Sequence, residues 1–264
     1  MKSKLLNRII VSLIFGPVTL LLFWLGGIAL QIFLGILTFG MLFEIRKSHN
    51  DKGLRIPFMQ MILGEIVYLA LVLGNSIHFI GAIFLTFVIL GGMHIFRNDV
   101  QGAIHRIAVS IFSIVYISIF ISMIYSLRNL PQGREVVISL LFTVWITDTF
   151  AYFTGMLIGK HQGIIAISPN KSLEGFIGGL VFSIIGSYFL VRIFGLSAQM
   201  IWMLPVAGGL IGQFGDLFES LIKRDLQIKD SSRILFEHGG VLDRFDSLLF
   251  SAPALYILYI LLGV

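Results

Sequence analysis

The chain is 264 residues long, 57% hydrophobic before its 28 glycines are counted, and only 12% charged. Soluble domains carry roughly 25% charge and about 45–50% apolar residues with glycine included, so a soluble globule is excluded, and a mean hydropathy of +0.95 agrees. The net charge of +5 does not argue for nucleic acid, because cytoplasmic loops of membrane proteins collect Lys and Arg. The absence of cysteine removes disulfides, thiolate metal sites and thiol nucleophiles.

A spanning helix needs roughly 17–25 mostly apolar residues. Such runs occur near 8–26, 28–45, 58–74, 77–96, 107–127, 135–158, 174–195, 199–215 and 247–263. The expectation is an all-α, polytopic integral membrane helix bundle of about nine spans, the second, third and eighth being short. Lys2, Lys4 and Arg8 before the first run imitate a signal peptide. The run ends in Gly26-Gly27 without a small-x-small cleavage site, so it reads as a span.

With the N-terminus inside, 16 of the 19 Lys and Arg fall on the cytoplasmic side. That asymmetry predicts a cytoplasmic N-terminus and an external C-terminus. No soluble domain is expected at either end. The organisation expected is a block of about five spans over 1–134, then a catalytic region over 135–264 with a cytoplasmic loop at 216–246.

Polar islands interrupt the apolar sequence. Glu65 stands alone in the third run. Asp148 sits halfway along the sixth, where an acid costs about 2.5–3.5 kcal/mol on insertion scales, so it should face the bundle interior and a cation. A buried Asp held by Thr147 or Thr149 is the alternative. Next comes Ser168-Pro169-Asn170-Lys171-Ser172-Leu173-Glu174-Gly175. Asn170 or Ser172 can cap the seventh helix, and Lys171 beside a helix N-terminus would suit a phosphate, or serve only as cap and topology signal. Glycines 175, 178, 179, 208, 209, 212 and 215 have the spacing of close helix packing.

Seven of the 14 acids lie between Asp216 and Asp246. Within that stretch, Asp216-Leu217-Phe218-Glu219-Ser220 and Asp243-Arg244-Phe245-Asp246-Ser247 share one pattern: acid, x, Phe, acid, Ser. On a helix, positions i and i+3 share a face, so each copy presents two carboxylates together. Like charges at that spacing repel, and a hard divalent cation such as Mg²⁺ would supply the counter-charge; an ordinary polar loop is the alternative. His238-Gly239-Gly240 between the copies marks a turn that permits close backbone approach to a ligand.

The residues from Ser220 to Asp225, then Lys229-Asp230-Ser231, then His238-Gly239-Gly240-Val241-Leu242-Asp243-Arg244-Phe245-Asp246, resemble the signature of the phosphatidate cytidylyltransferase (CDP-diacylglycerol synthase) family. The Ser168–Gly175 island and Asp148-x-x-Ala151-Tyr152 are similar to further blocks of it, in the same order. One departure is Phe236-Glu237, where the family usually has Pro-Gly. The resemblance implies an integral membrane enzyme that joins CTP and phosphatidate into CDP-diacylglycerol and pyrophosphate with Mg²⁺, and room for a second cation.

On that footing Asp216, Asp243 and Asp246 are the expected metal and catalytic carboxylates, with Asp148 and Glu219 as further ligands. Lys171, Lys223, Arg224 and Arg244 would neutralise phosphates. Ser172, His238 and Gly239 would line the nucleotide pocket, and Lys229 would bind substrate. The expected setting is a bacterial plasma membrane with the site facing the cytoplasm; the partners are the two substrates and the bilayer, no nucleic acid, and glycine-rich faces that permit a homodimer. Two other readings compete: a CTP-using lipid kinase, in which the γ-phosphate moves, and a transporter with Asp148 and Glu65 as ion ligands. The transporter reading needs matching halves with broken helices, which the sequence lacks.

Overall fold

The structure, a computed structural model, describes residues 15–229, 231–232 and 239–263. Among them are nine helices: α1 (Phe15–Leu25), α2 (Gly27–Asp51), α3 (Met59–Val72), α4 (Ser76–Phe96), α5 (Ala103–Arg128), α6 (Gly133–Ile158), α7 (Leu173–Phe194), α8 (Met200–Asp225) and α9 (Leu242–Leu262). Seven are long and apolar enough to cross a membrane; the described part of α1, and α3, are shorter. The chain is an all-α polytopic membrane bundle. Residues 8–14 of the first expected span, with the three basic residues at its start, lie outside the described residues.

Each helix end has a local cause. Gly26 and Gly27 take φ of 67° and 56°, a left-handed pair that breaks α1 from α2 without a Cβ penalty. The last carbonyls of α1 would be left without intrahelical donors. Arg128 satisfies them from the far end of α5, its Nε donating to Phe23 O at 3.0 Å and its Nη2 to Trp24 O at 3.0 Å. The Asn75 side chain caps α4 by accepting from the N–H groups of Ile77 and His78, and Ser172 caps α7 by accepting from Gly175 N–H at 3.1 Å.

Burial follows helical periodicity. On α2, Leu30, Leu34, Leu37, Met41 and Ile45 form one buried stripe; on α4 only Ala82, Thr86 and Leu90 are buried. Ile77, Ile80, Phe84, Phe87 and Val88 of α4 are exposed, as on a helix facing hydrocarbon. Lipid is as apolar as leucine, so association in a bilayer rests on close packing and hydrogen bonds. Accordingly a Cβ at Gly179 of α7 would lie 2.9 Å from Thr147 O of α6, and these two helices form the most extensive pair in the fold.

Two helices contain a wider turn, Val115–Ile119 in α5 and Pro205–Ile211 in α8. Pro205 supplies no N–H, and such π-type turns are often found at functional sites. The second packs on α9, and Tyr116 of the first meets Phe250 of α9 with ring centroids 5.8 Å apart.

Two boundaries depart from the expected ones. The segment expected as a loop from 216 to 246 is helical at both ends: α8 continues to Asp225, and α9 already begins at Leu242. Hydropathy marks where a helix leaves apolar surroundings, and a helix can go on turning past that point once water solvates its charged side chains. Both acidic segments therefore lie on helices.

Candidate active site

The two acidic segments are brought together by a glycine notch. A Cβ at Gly215 would lie 2.6 Å from Asp246 O, and one at Gly212 would lie 2.8 Å from Ser251 Oγ. The small residues let the backbones of α8 and α9 approach until Asp216 and Asp246 share one space. Asp216, Glu219 and Asp246 each place a carboxylate oxygen there, all within 4.8 Å of one another. At that separation each ionised pair repels by about 3–4 kcal/mol at an effective dielectric near 20. Glu219 is fully buried, and its oxygens accept no conventional hydrogen bond among the described residues; its compensation is an ion pair with Lys223, one turn away. A cluster of hard oxygen donors with an excess of negative charge fits a divalent ion that takes oxygen ligands.

Asp243 is placed differently. Its Oδ1 accepts from Lys223 Nζ at 2.8 Å. Its Oδ2 accepts from Gly240 N–H at 2.6 Å, Ser231 hydroxyl at 2.8 Å and Ser231 N–H at 3.2 Å. Oδ2 ties the start of α9 to the segment before it and Oδ1 ties it to α8, and Asp243 is not part of the three-carboxylate cluster. Lys223 stands between Glu219 and Asp243, so it joins the two acidic segments. Gly239, at φ 81°, has no room for a Cβ, which would lie 2.6 Å from Asp243 Oδ2. His238, Phe236 and Glu237 lie outside the described residues.

The remaining expected residues gather around the same end of the bundle. Lys171 pairs with Asp216, which places the Ser168–Gly175 island beside the carboxylates. Arg224 Nε donates to Ile167 O at 3.1 Å and fastens that island to α8. His161 and Glu174 meet at 2.5 Å across its base. Ser172 is occupied as the cap of α7, and Lys229 is exposed.

A cavity of about 510 Å³ lies between α1, α6 and α9. Its wall is largely apolar, including Pro17, Leu141 and Trp145, but Asp148, Arg244 and Asp246 also line it. Asp148 of α6 thus shares this cavity with Arg244 and Asp246 of α9. On the other side of α9, Tyr116, Phe120, Phe214, Phe218 and Phe250 form a cluster with ring centroids 5.0–6.4 Å apart. Phe218 lies between Asp216 and Glu219 in sequence, so this apolar layer backs the carboxylates.

One site-end residue escaped the sequence reading. Glu44, near the end of α2, is fully buried and accepts from Val241 N–H at 2.8 Å and Leu242 N–H at 2.9 Å. An acid next to Arg46 and Lys47 reads as an ordinary interfacial residue; the one available signal was its position inside the buried stripe of α2.

Residues 6–262 match the Cytidylyltransferase family. The chain is similar to proteins named phosphatidate cytidylyltransferase from three staphylococci. It is 35% identical over 266 residues to the one from Staphylococcus saprophyticus and 36% over 267 to the one from Staphylococcus epidermidis. It is 34% identical over 266 to the one from Staphylococcus aureus. Each alignment covers 98% of this chain and 99% of the relative.

Proposed function

Because the chain belongs to the cytidylyltransferase family, we propose that it is a phosphatidate cytidylyltransferase, moving CMP from CTP to phosphatidate with release of pyrophosphate. Support comes from relatives of that name, alike over nearly the full length, and from a three-carboxylate cluster with basic residues on one side and an apolar cavity on the other. The cluster beside the cavity is the observation that carries the reading, since it joins a water-soluble and a lipid substrate at one place.

The reaction is an in-line displacement. A phosphate oxygen of phosphatidate attacks the α-phosphorus of CTP; a new P–O bond forms as the α–β bridging bond breaks, and the electron pair leaves with pyrophosphate. The nucleophile is already an anion near neutral pH, so no strong general base is required. The difficulty is electrostatic, because two anions must meet while charge grows on the leaving group.

Asp216, Glu219 and Asp246 would hold Mg²⁺, which when bound neutralises and orients phosphate oxygens. Lys171, beside Asp216, is placed to exchange that carboxylate for a phosphate oxygen. Arg244, on the cavity wall, is suited to the lipid phosphate. Lys223 has three donors, two of them directed at Glu219 and Asp243, and so keeps both acidic segments in register with one donor to spare. Arg224, bonded to Ile167 O, holds the Ser168–Gly175 island in place. The site is proposed to face the cytoplasm, where CTP is, in a bacterial plasma membrane; the 16 basic residues counted inside agree.

Purified protein in detergent with phosphatidate, Mg²⁺ and α-labelled CTP should place label in the lipid phase. Label entering lipid only from the γ-position would instead make the protein a lipid kinase. Folded protein that transfers neither label would sink the proposal.

A further inference from the structure

The amino-terminal half looks like scaffold, yet it reaches into the site through Glu44. A buried carboxylate is costly unless it is hydrogen-bonded, and Glu44 has three donors within 3 Å: Val241 N–H, Leu242 N–H and, at 2.6 Å, the Ser232 hydroxyl. The two amides belong to the start of α9. Helix starts leave N–H groups without intrahelical partners, and α9 has no capping side chain of its own, since Val241 occupies the N-cap position. Glu44 supplies that cap from α2, 197 residues away in sequence. Gly240 makes room for it, because a Cβ there would lie 2.6 Å from the Glu44 carboxylate and 2.2 Å from Ser231 Oγ.

The connection continues to the carboxylate cluster. Ser231 Oγ lies 3.4 Å from Glu44 and donates to Asp243 at 2.8 Å. Asp243 accepts from Lys223, which pairs with Glu219. Asp246 lies one turn beyond Asp243 on the same helix. A shift in the first turn of α9 therefore moves Asp246 relative to Asp216 and Glu219.

We propose that Glu44 is a positioning residue: by capping α9 from α2 it sets the place of Asp246 and so the affinity of the three-carboxylate cluster for a divalent ion. This rests on the reading of that cluster as a cation site.

The test uses full-length protein in detergent and Mn²⁺ binding followed by electron paramagnetic resonance, alongside thermal stability. Glu44→Gln keeps the shape but turns an amide N–H₂ toward donors, and should weaken Mn²⁺ binding about 10–100-fold, the range seen when groups supporting a metal ligand are lost. Glu44→Asp keeps the charge but withdraws the carboxylate by one methylene from the Val241 and Leu242 amides, and should weaken Mn²⁺ binding severalfold, less than Glu44→Gln. Glu65→Gln, on α3 and outside this network, should leave affinity within about twofold.

Wild-type Mn²⁺ affinity in Glu44→Gln, whatever its melting temperature, overturns the proposal while leaving the cation reading intact. Absence of Mn²⁺ binding by the wild type overturns both. Should Glu44→Gln fail to fold, Glu44→Asp decides: weaker binding at an unchanged melting temperature supports the proposal, and unchanged binding overturns it.

Discussion

The two acidic pentapeptides share a pattern and are put to different uses. On α8, Asp216 and Glu219 lie well inside the helix, where backbone amides are already bonded, so both carboxylates are left for the shared space with Asp246. On α9, Asp243 falls in the first turn, where its Oδ2 is taken by Gly240 and Ser231 and its Oδ1 by Lys223. Only Asp246, a turn deeper, joins the cluster. Position relative to a helix start, more than the pattern itself, decides whether a carboxylate is available to a ligand or holds the backbone.

That comparison can be broken by substitution, and the largest effect is expected at the cluster. Asp246→Asn or Asp216→Asn should lower turnover by at least about 10³-fold, the equivalent of roughly 4 kcal/mol of barrier, with an unchanged elution profile in detergent. Retention of a tenth of wild-type turnover would remove that residue from the cation site. Asp243→Asn should do less to chemistry and more to the fold. With the hydrogen bonds of a charged acceptor weakened, stability should fall by about 1–3 kcal/mol, and most of the activity loss should be recovered at lower temperature. Equal, temperature-independent losses at Asp243 and Asp246 would show that the pentapeptides act alike.

Gly215→Ala probes the notch. Its Cβ must push α9 away at Asp246 O, so the half-saturating Mg²⁺ concentration in the transfer assay should rise by about tenfold, approximately 1.4 kcal/mol. An unchanged Mg²⁺ dependence would mean that the close approach is incidental. The smallest effect is expected at Ser172→Ala, which removes the cap of α7 and should cost about 1 kcal/mol of stability with turnover within a few-fold. A hundredfold loss of turnover would assign Ser172 to substrate instead.

Much of this architecture was legible in the sequence. Among the described residues each apolar run contains a helix, and seven of these are long and apolar enough to cross a membrane, because a bilayer-facing helix must be apolar and its length is set by the membrane. The i, i+3 spacing of Asp216 and Glu219 was enough to put them on one face, and Asp148, singled out by its cost in mid-span, lines the cavity shared with Asp246. Helix extents at the charged end were less legible, since α8 and α9 continue past their apolar stretches. The separation of Asp243 from Asp246 depends on where α9 begins, and Glu44 depends on a contact between chain segments almost 200 residues apart. Local periodicity contains neither.

The most direct measurement is crystallographic: crystals grown with Mn²⁺, with diffraction recorded at the manganese absorption edge. The account predicts an anomalous peak bounded by carboxylate oxygens of Asp216, Glu219 and Asp246, with Asp243 still bonded to Gly240 and Ser231. A peak coordinated by Asp243 in place of Glu219 would contradict it.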